Sequence, residues 1–107
     1  AIFEPRSASS CRRVFQHAFA EAFDDADEIV LASVFRSSLP EAERLSVPEL
    51  IRDLTARGLH ARHLETTDGI VATVAAEARD GDLVVVMSNG GFDNVHARLL
   101  EALAARR

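Results

Sequence analysis

The stretch "EIVLASVF", Glu28 to Phe35, holds six apolar residues in eight positions. A strand with one wet face alternates polar and apolar side chains; this one is apolar at successive positions, so both of its faces need cover. Continuous apolarity of that kind suits a parallel sheet with helices on both sides. The reading spreads outward from there. Upstream, "AIF" (Ala1 to Phe3) is a short strand closed by Pro5. It is followed by Val14, Phe15, Ala18, Phe19, Ala22 and Phe23 at helical spacing, with Arg13, Gln16, His17 and Glu21 on other faces. Ser9 or Ser10 is a candidate N-cap for that helix. Downstream, "RSSLPEAER" is a polar connection. "SVPE" then has the form of a capping box, Ser46 as N-cap and Glu49 reaching back, with Val47, Leu50, Ile51 and Leu54 as the buried stripe and Gly58 as the stop.

The second half repeats the alternation. "HARHL" (His60 to Leu64) is a polar strand suited to a sheet edge. Asp68 is placed to cap a third helix whose inward side is Ile70, Val71, Val74, Ala75 and Ala78. "ARDGD" is a turn. "LVVVM" (Leu83 to Met87) has the strongest strand pattern and is expected at the centre of the sheet. A last helix carries Val95, Leu99, Leu100 and Leu103 on one side. The pattern is βαβαβαβα over one domain, residues 1–107. It predicts an α/β fold: a three-layer Rossmann-like domain with a mainly parallel sheet of at least four strands and helices on both faces.

Composition narrows the function. The chain has 107 residues, 48% hydrophobic and 27% charged, with a net charge of −5. A core is feasible at this size without staples. An acidic chain lacks the basic face that nucleic acid or an anionic membrane surface needs, so neither is an expected partner. No apolar run approaches the ~20 residues of a membrane-spanning helix. The single cysteine, Cys11, cannot form an internal disulfide, which fits a reducing cytoplasm. Its expected role is packing as a small apolar side chain. The abrupt opening "AIFEP" reads as a strand already under way, as in a piece of a longer protein.

In the Rossmann-like strand order 3-2-1-4, the first and fourth strands are neighbours and the chain leaves them in opposite directions. Ligands bind beyond the carboxyl ends of strands at such a switch point. The loops meeting there would be "EPRSASS" and "MSNGG". In the second, Gly90 and Gly91 allow left-handed backbone and close approach, Ser88 and Asn89 offer a hydroxyl and an amide, and the helix behind brings free N–H groups. The same loop also reads as a plain strand-to-helix turn that needs glycine. It is neither a GxGxxG fingerprint nor a P-loop, and every basic residue of the chain is arginine, so no lysine is present to hold a phosphate. Arg6, just past a strand end, can grip a carboxylate through two N–H groups or remain a solvated surface cation. His96 lies in the first turn of the last helix, near the loop or merely exposed. Phe92 anchors the loop in the core or stacks on a ligand. His60 and His63 have a spacing seen in some zinc sites, yet no cysteine or carboxylate pair completes it, and no metal is expected. There is no nucleophile–base pair and no pair of acids, so no complete catalytic set is legible.

Taken together, "IFEPRS" with its arginine-led helix and "VVVMSNGGFDNVHARLL" resemble the C-terminal domain of the Mur ligases, over nearly the whole chain. The resemblance implies a three-domain bacterial enzyme of cell-wall biogenesis, acting in the cytoplasm. Its N-terminal domain holds a UDP-sugar. Its central domain carries the P-loop and binds ATP and Mg2+. ATP activates the UDP-muramate carboxylate as an acyl phosphate, which the amine of an amino acid or peptide attacks. The C-terminal domain would bring that amine substrate, would have its own central and N-terminal domains as partners, and would be inactive alone and bind no cofactor. By the same resemblance, Arg6 lies in the loop that meets the incoming substrate and is assigned to the peptide carboxylate, and Ser88, Asn89 and Phe92 lie in the loop facing it; Ser7, Gly90 and His96 are the further substrate-binding candidates beside them. The nearest pattern is the branch that joins the tripeptide L-alanyl-γ-D-glutamyl-meso-diaminopimelate to UDP-N-acetylmuramate in peptidoglycan recycling. The L-alanine-adding branch is the alternative, although a His-Arg-rich loop would be expected there in place of "EPRSASS". A stand-alone Rossmann-like small-molecule binding module is the other alternative. Two positions depart from the family pattern: Cys11 follows "SASS" at a variable place, and Asp93-Asn94 stands where glycines are usual.

Overall fold

The computed structural model of the chain describes residues 1–5, 16–33, 45–88 and 92–105. Four parallel strands form one sheet: β1 (Ile2–Phe3), β2 (Glu28–Leu31), β3 (His60–His63) and β4 (Val86–Met87), in the order β3-β2-β1-β4. The helices between and after them are α1 (Gln16–Ala22), α2 (Val47–Ala56), α3 (Thr67–Glu77) and α4 (Val95–Ala105), the last preceded by a short turn at Phe92–Asn94. This is the expected alternation and the expected strand order. The serine caps proposed for the first helix, Val14, Phe15, Cys11, Phe35 and the "RSSLPEAER" connection lie outside the described residues.

The two-faced reading of the second strand holds. Ile29 and Leu31 point into a core with Phe3, Ala20, Phe23, Leu45, Val47, Leu50 and Leu54. Val30 and Ala32 point into a second core with Ile2, Ile70, Phe92, Val95 and Leu99. Successive strand residues face opposite sides of the sheet, so β1 and β2 each feed both cores. The result is three layers, α1 and α2 on one face and α3 and α4 on the other. Phe3 stands between Phe19 and Phe23, ring centroids 5.1 and 5.8 Å away.

The second helix forms as its sequence dictates. Ser46 Oγ accepts the Glu49 backbone N–H at 3.3 Å, Pro48 lies in the first turn, and Gly58 takes φ +82°, which glycine adopts without a Cβ clash.

Several expectations need correction. Gln16, placed on an outer face of the first helix, is buried. Its Nε2 donates to Ser46 O at 2.7 Å and its Oε1 accepts from Ser46 N–H at 2.9 Å. Ala20 and Phe23 are buried with it, whereas Ala18 and Ala22 are exposed. The cap of α3 is Thr66, whose Oγ1 accepts the Gly69 N–H at 3.0 Å, and not Asp68, which lies inside the first turn. The run "LVVVM" is not central: β4 is two residues long and pairs only with β1 among the described strands. Leu83 is 85% exposed and Val85 43%. Apolar side chains alone told nothing of how many neighbours this strand has. Leu100 is also exposed, off the buried Val95–Leu99 stripe of α4. β3 is at a sheet edge, as its polarity indicated.

Candidate functional site

The strand order puts β1 beside β4, with helices leaving to opposite faces. Residues 85–88 run alongside residues 2–4: Ile2 N–H donates to Val85 O at 2.8 Å and Glu4 N–H to Met87 O at 3.0 Å. The two loops picked out in the sequence therefore start side by side at the carboxyl edge of the sheet. The side chains repeat the link, Ser88 Oγ donating to Glu4 Oε1 at 2.7 Å. Glu4 is buried, which makes its carboxylate an acceptor of the kind that must be hydrogen-bonded to persist.

Of the residues proposed for this site, the structure describes Ser88, Phe92 and His96; Arg6, Ser7, Asn89 and Gly90 lie outside the described residues. Ser88 and Glu4 come together. Phe92 is buried beside Ile2, Val95 and Leu99, a position that fits an anchor for the loop rather than a stacking surface. His96 is exposed on α4, and among the described residues no hydrogen bond or ion pair joins it to the site. Sequence reasoning missed Glu4. Its one signal was a carboxylate directly after an apolar strand, at a place where the chain should still be covered.

The far end of the loop has unusual backbone. Phe92, Asp93 and Asn94 have φ of 47°, 49° and 56° in succession. Left-handed angles cost L-residues about 1–2 kcal/mol each, least for Asp and Asn. Burial of the Phe92 ring, worth about 1.5–3 kcal/mol, offsets part of that. This gives the Asp93-Asn94 departure its physical reading. Where glycine would take these angles freely, the chain uses the two side chains that tolerate them best. Arg98 Nη1 donates to Asp93 Oδ2 at 2.9 Å, and its Nη2 donates to Asp68 Oδ1.

On the opposite side of the same edge, Ser33 Oγ and His63 Nε2 are 3.0 Å apart at the ends of β2 and β3, both exposed. Among the described residues, no group of three or more His, Cys, Asp or Glu is arranged to hold a metal ion. No helix there is long and apolar enough to cross a membrane.

The fold and its switch-point edge define a Rossmann-like α/β domain, and comparison with known proteins gives its kin. No protein-family model matches the chain. It is 34% identical over 100 residues to UDP-N-acetylmuramate–L-alanine ligase of Agrobacterium fabrum, covering 92% of this chain and 21% of the relative. The enzyme of the same name from Caldanaerobacter subterraneus is 28% identical over 101 residues, 94% of this chain and 22% of the relative. The crystal structure of a murein peptide ligase from Psychrobacter arcticus superposes with a TM-score of 0.70 at 26% identity, over 95% of this chain and 21% of that one. A domain from Haemophilus ducreyi, 22% identical with a TM-score of 0.61 over 95% of this chain and 67% of its own, shares the fold. The homologues of this chain are Mur ligases, and the chain spans about a fifth of the length of the curated relatives it matches.

Proposed function

We propose that the chain is the substrate-positioning domain of an ATP-dependent Mur ligase, holding the incoming amine at the carboxyl edge between β1 and β4. The observation that carries the reading is the junction of the two loops at the switch point, marked by the Ser88–Glu4 hydrogen bond. A chain without lysine or a P-loop is poorly equipped to cradle a triphosphate, so ATP and Mg2+ would be held by another domain of a cytoplasmic enzyme. What such a domain supplies is orientation. Fixing the amine nitrogen beside an activated muramate carboxyl converts an encounter into a local reaction and excludes water. Nitrogen attacks the acyl carbon, the amide bond forms, and phosphate leaves. Arg6 would hold the carboxylate of the amine substrate, with Ser7, Ser88, Asn89 and Gly90 shaping the wall.

The tripeptide L-alanyl-γ-D-glutamyl-meso-diaminopimelate is our reading of that amine substrate. It is supported by the "EPRS" loop and by likeness to the murein peptide ligase. The names of the curated relatives favour a second reading, L-alanine. The ligase carrying this domain, supplied with UDP-N-acetylmuramate and ATP, should form amide with the tripeptide at much higher kcat/KM than with L-alanine. Preference for L-alanine would select the second reading, and use of neither would remove both.

A further inference from the structure

Among the described residues, the large hydrophobic side chains left exposed are Leu83, Val85 and Leu100, and all three flank one edge of the sheet. Exposure alternates along the run into β4. Leu83 and Val85 are exposed, while Val84 and Val86 are half-buried against the core beneath α3 and α4. Met87 packs against the other core, beside Phe3. Strand side chains two apart share a face, so Leu83 and Val85 belong to the face that α1 and α2 cover elsewhere. On the opposite face, Leu100 lies about 200° round α4 from Arg98, which bonds Asp68 on α3. Leu100 is therefore turned away from α3, toward the outer flank of β4. Open backbone runs between these side chains. Val85 and Met87 give their carbonyls to β1, so the alternate residues Val84 and Val86 turn their polar backbone groups outward. No other described strand lies there.

An apolar sheet edge of this kind is a template for pairing, and native proteins cover it. The order 3-2-1-4 is the first part of the Rossmann order 3-2-1-4-5-6, whose further strands stand beyond the fourth. A parallel neighbour needs a crossover of a dozen or more residues, usually a helix. Because α4 already covers one face of β4, the place for that helix is the other face, over Leu83 and Val85. The Haemophilus ducreyi domain shares the fold over 95% of this chain but 67% of its own length. About a third of that domain therefore lies outside the shared part, room for a strand and a helix of ordinary length. We propose that the outer edge of β4 is the docking surface for one further strand and helix of the same ligase. The strand pairs with the backbone of Val84 and Val86, and the helix lays an apolar stripe over Leu83 and Val85. The proposal rests on kinship with the Mur ligases and not on which amine the enzyme uses.

The test compares the intact ligase with this chain alone. Leu83→Cys is read by thiol alkylation resolved to the peptide that carries it, and amide hydrogen exchange is read on the wild type, which needs no substitution to fold. In this chain the new thiol should react as an exposed one; in the ligase its alkylation should slow by about tenfold or more. Exchange of the Val84 and Val86 amides should slow by about the same factor in the ligase. Equal alkylation in the two would overturn the proposal. So would a slowed thiol above unprotected amides, the sign of a domain resting on the surface without a paired strand. Slowing that depends on concentration in this chain alone would give the edge to a second copy and overturn it as well. Failure of the functional reading looks different: the wild-type ligase then uses neither amine, and the protection of the edge is still read.

Discussion

Gln16 shows how much one side chain can carry unseen. Its primary amide imitates a backbone strand, donating to and accepting from Ser46, and so fixes the start of α2 against the start of α1. Replacing it by alanine leaves the part-buried Ser46 N–H without that acceptor. A buried orphan donor costs about 1–3 kcal/mol, so for this half-covered one Gln16→Ala should lower the unfolding free energy in urea by about 1 kcal/mol, the low end of that range. A loss below about 0.5 kcal/mol, the range of an ordinary surface substitution, would contradict the assignment. None of this was legible beforehand. A glutamine at that spacing looks like an outer helical position, because periodicity reports which face is apolar and not what an amide finds 30 residues away. Glu4 escaped for the same reason. Glycine at 58 and serine at 46 were legible because caps and stops act locally, through a few adjacent backbone groups.

At the scale of elements, α2 is tied to the turn after α1 by Arg57, which donates from Nε to Asp24 Oδ1 at 2.8 Å and from Nη2 to Oδ2 at 2.5 Å. Hydrogen bonding to the guanidinium holds the Asp24 carboxyl below its usual range. A carboxyl whose folded pKa is depressed binds fewer protons in the folded than in the unfolded state. Its contribution is therefore complete above the unfolded value, near ~3.9, and disappears as pH falls through the lower folded value. Acidification through that window should cost the wild type more stability than Asp24→Asn, measured as the shift in urea midpoint. Parallel losses would show that the pair is too exposed to matter, as many surface pairs are. Element types and order were readable, since the 2- and 3.6-residue periods and the turn residues are local signals. The place of β4 was not. Apolar side chains state a demand for cover, and the number of strand neighbours is set by the whole sheet.

At the scale of the molecule, two cores share one sheet. Leu54 is fully buried in the core beneath α1 and α2, and Leu99 in the core beneath α3 and α4. Because Ile2 and Phe3 of β1 face opposite cores, the two should melt together. Leu54→Ala and Leu99→Ala should each cost about 2–5 kcal/mol and keep a single calorimetric transition. Two separated transitions would mean independent halves. The exposed Leu83 and Val85 lie in the run leading into β4, in a chain that matches only a fifth of its relatives' length. The switch-point edge was legible as a place in the fold, because strand order alone sets it. Which side chains complete it is a proposal that rests on resemblance. The central claim is that this edge receives the amine substrate and leaves ATP to another part of the enzyme. The direct measurement is steady-state kinetics of Arg6→Ala in the intact ligase, varying the amine substrate and ATP in turn. Loss of a bidentate carboxylate grip should raise the amine KM by about tenfold or more with the ATP KM unmoved; equal rises in both, or none in the amine, would contradict the account.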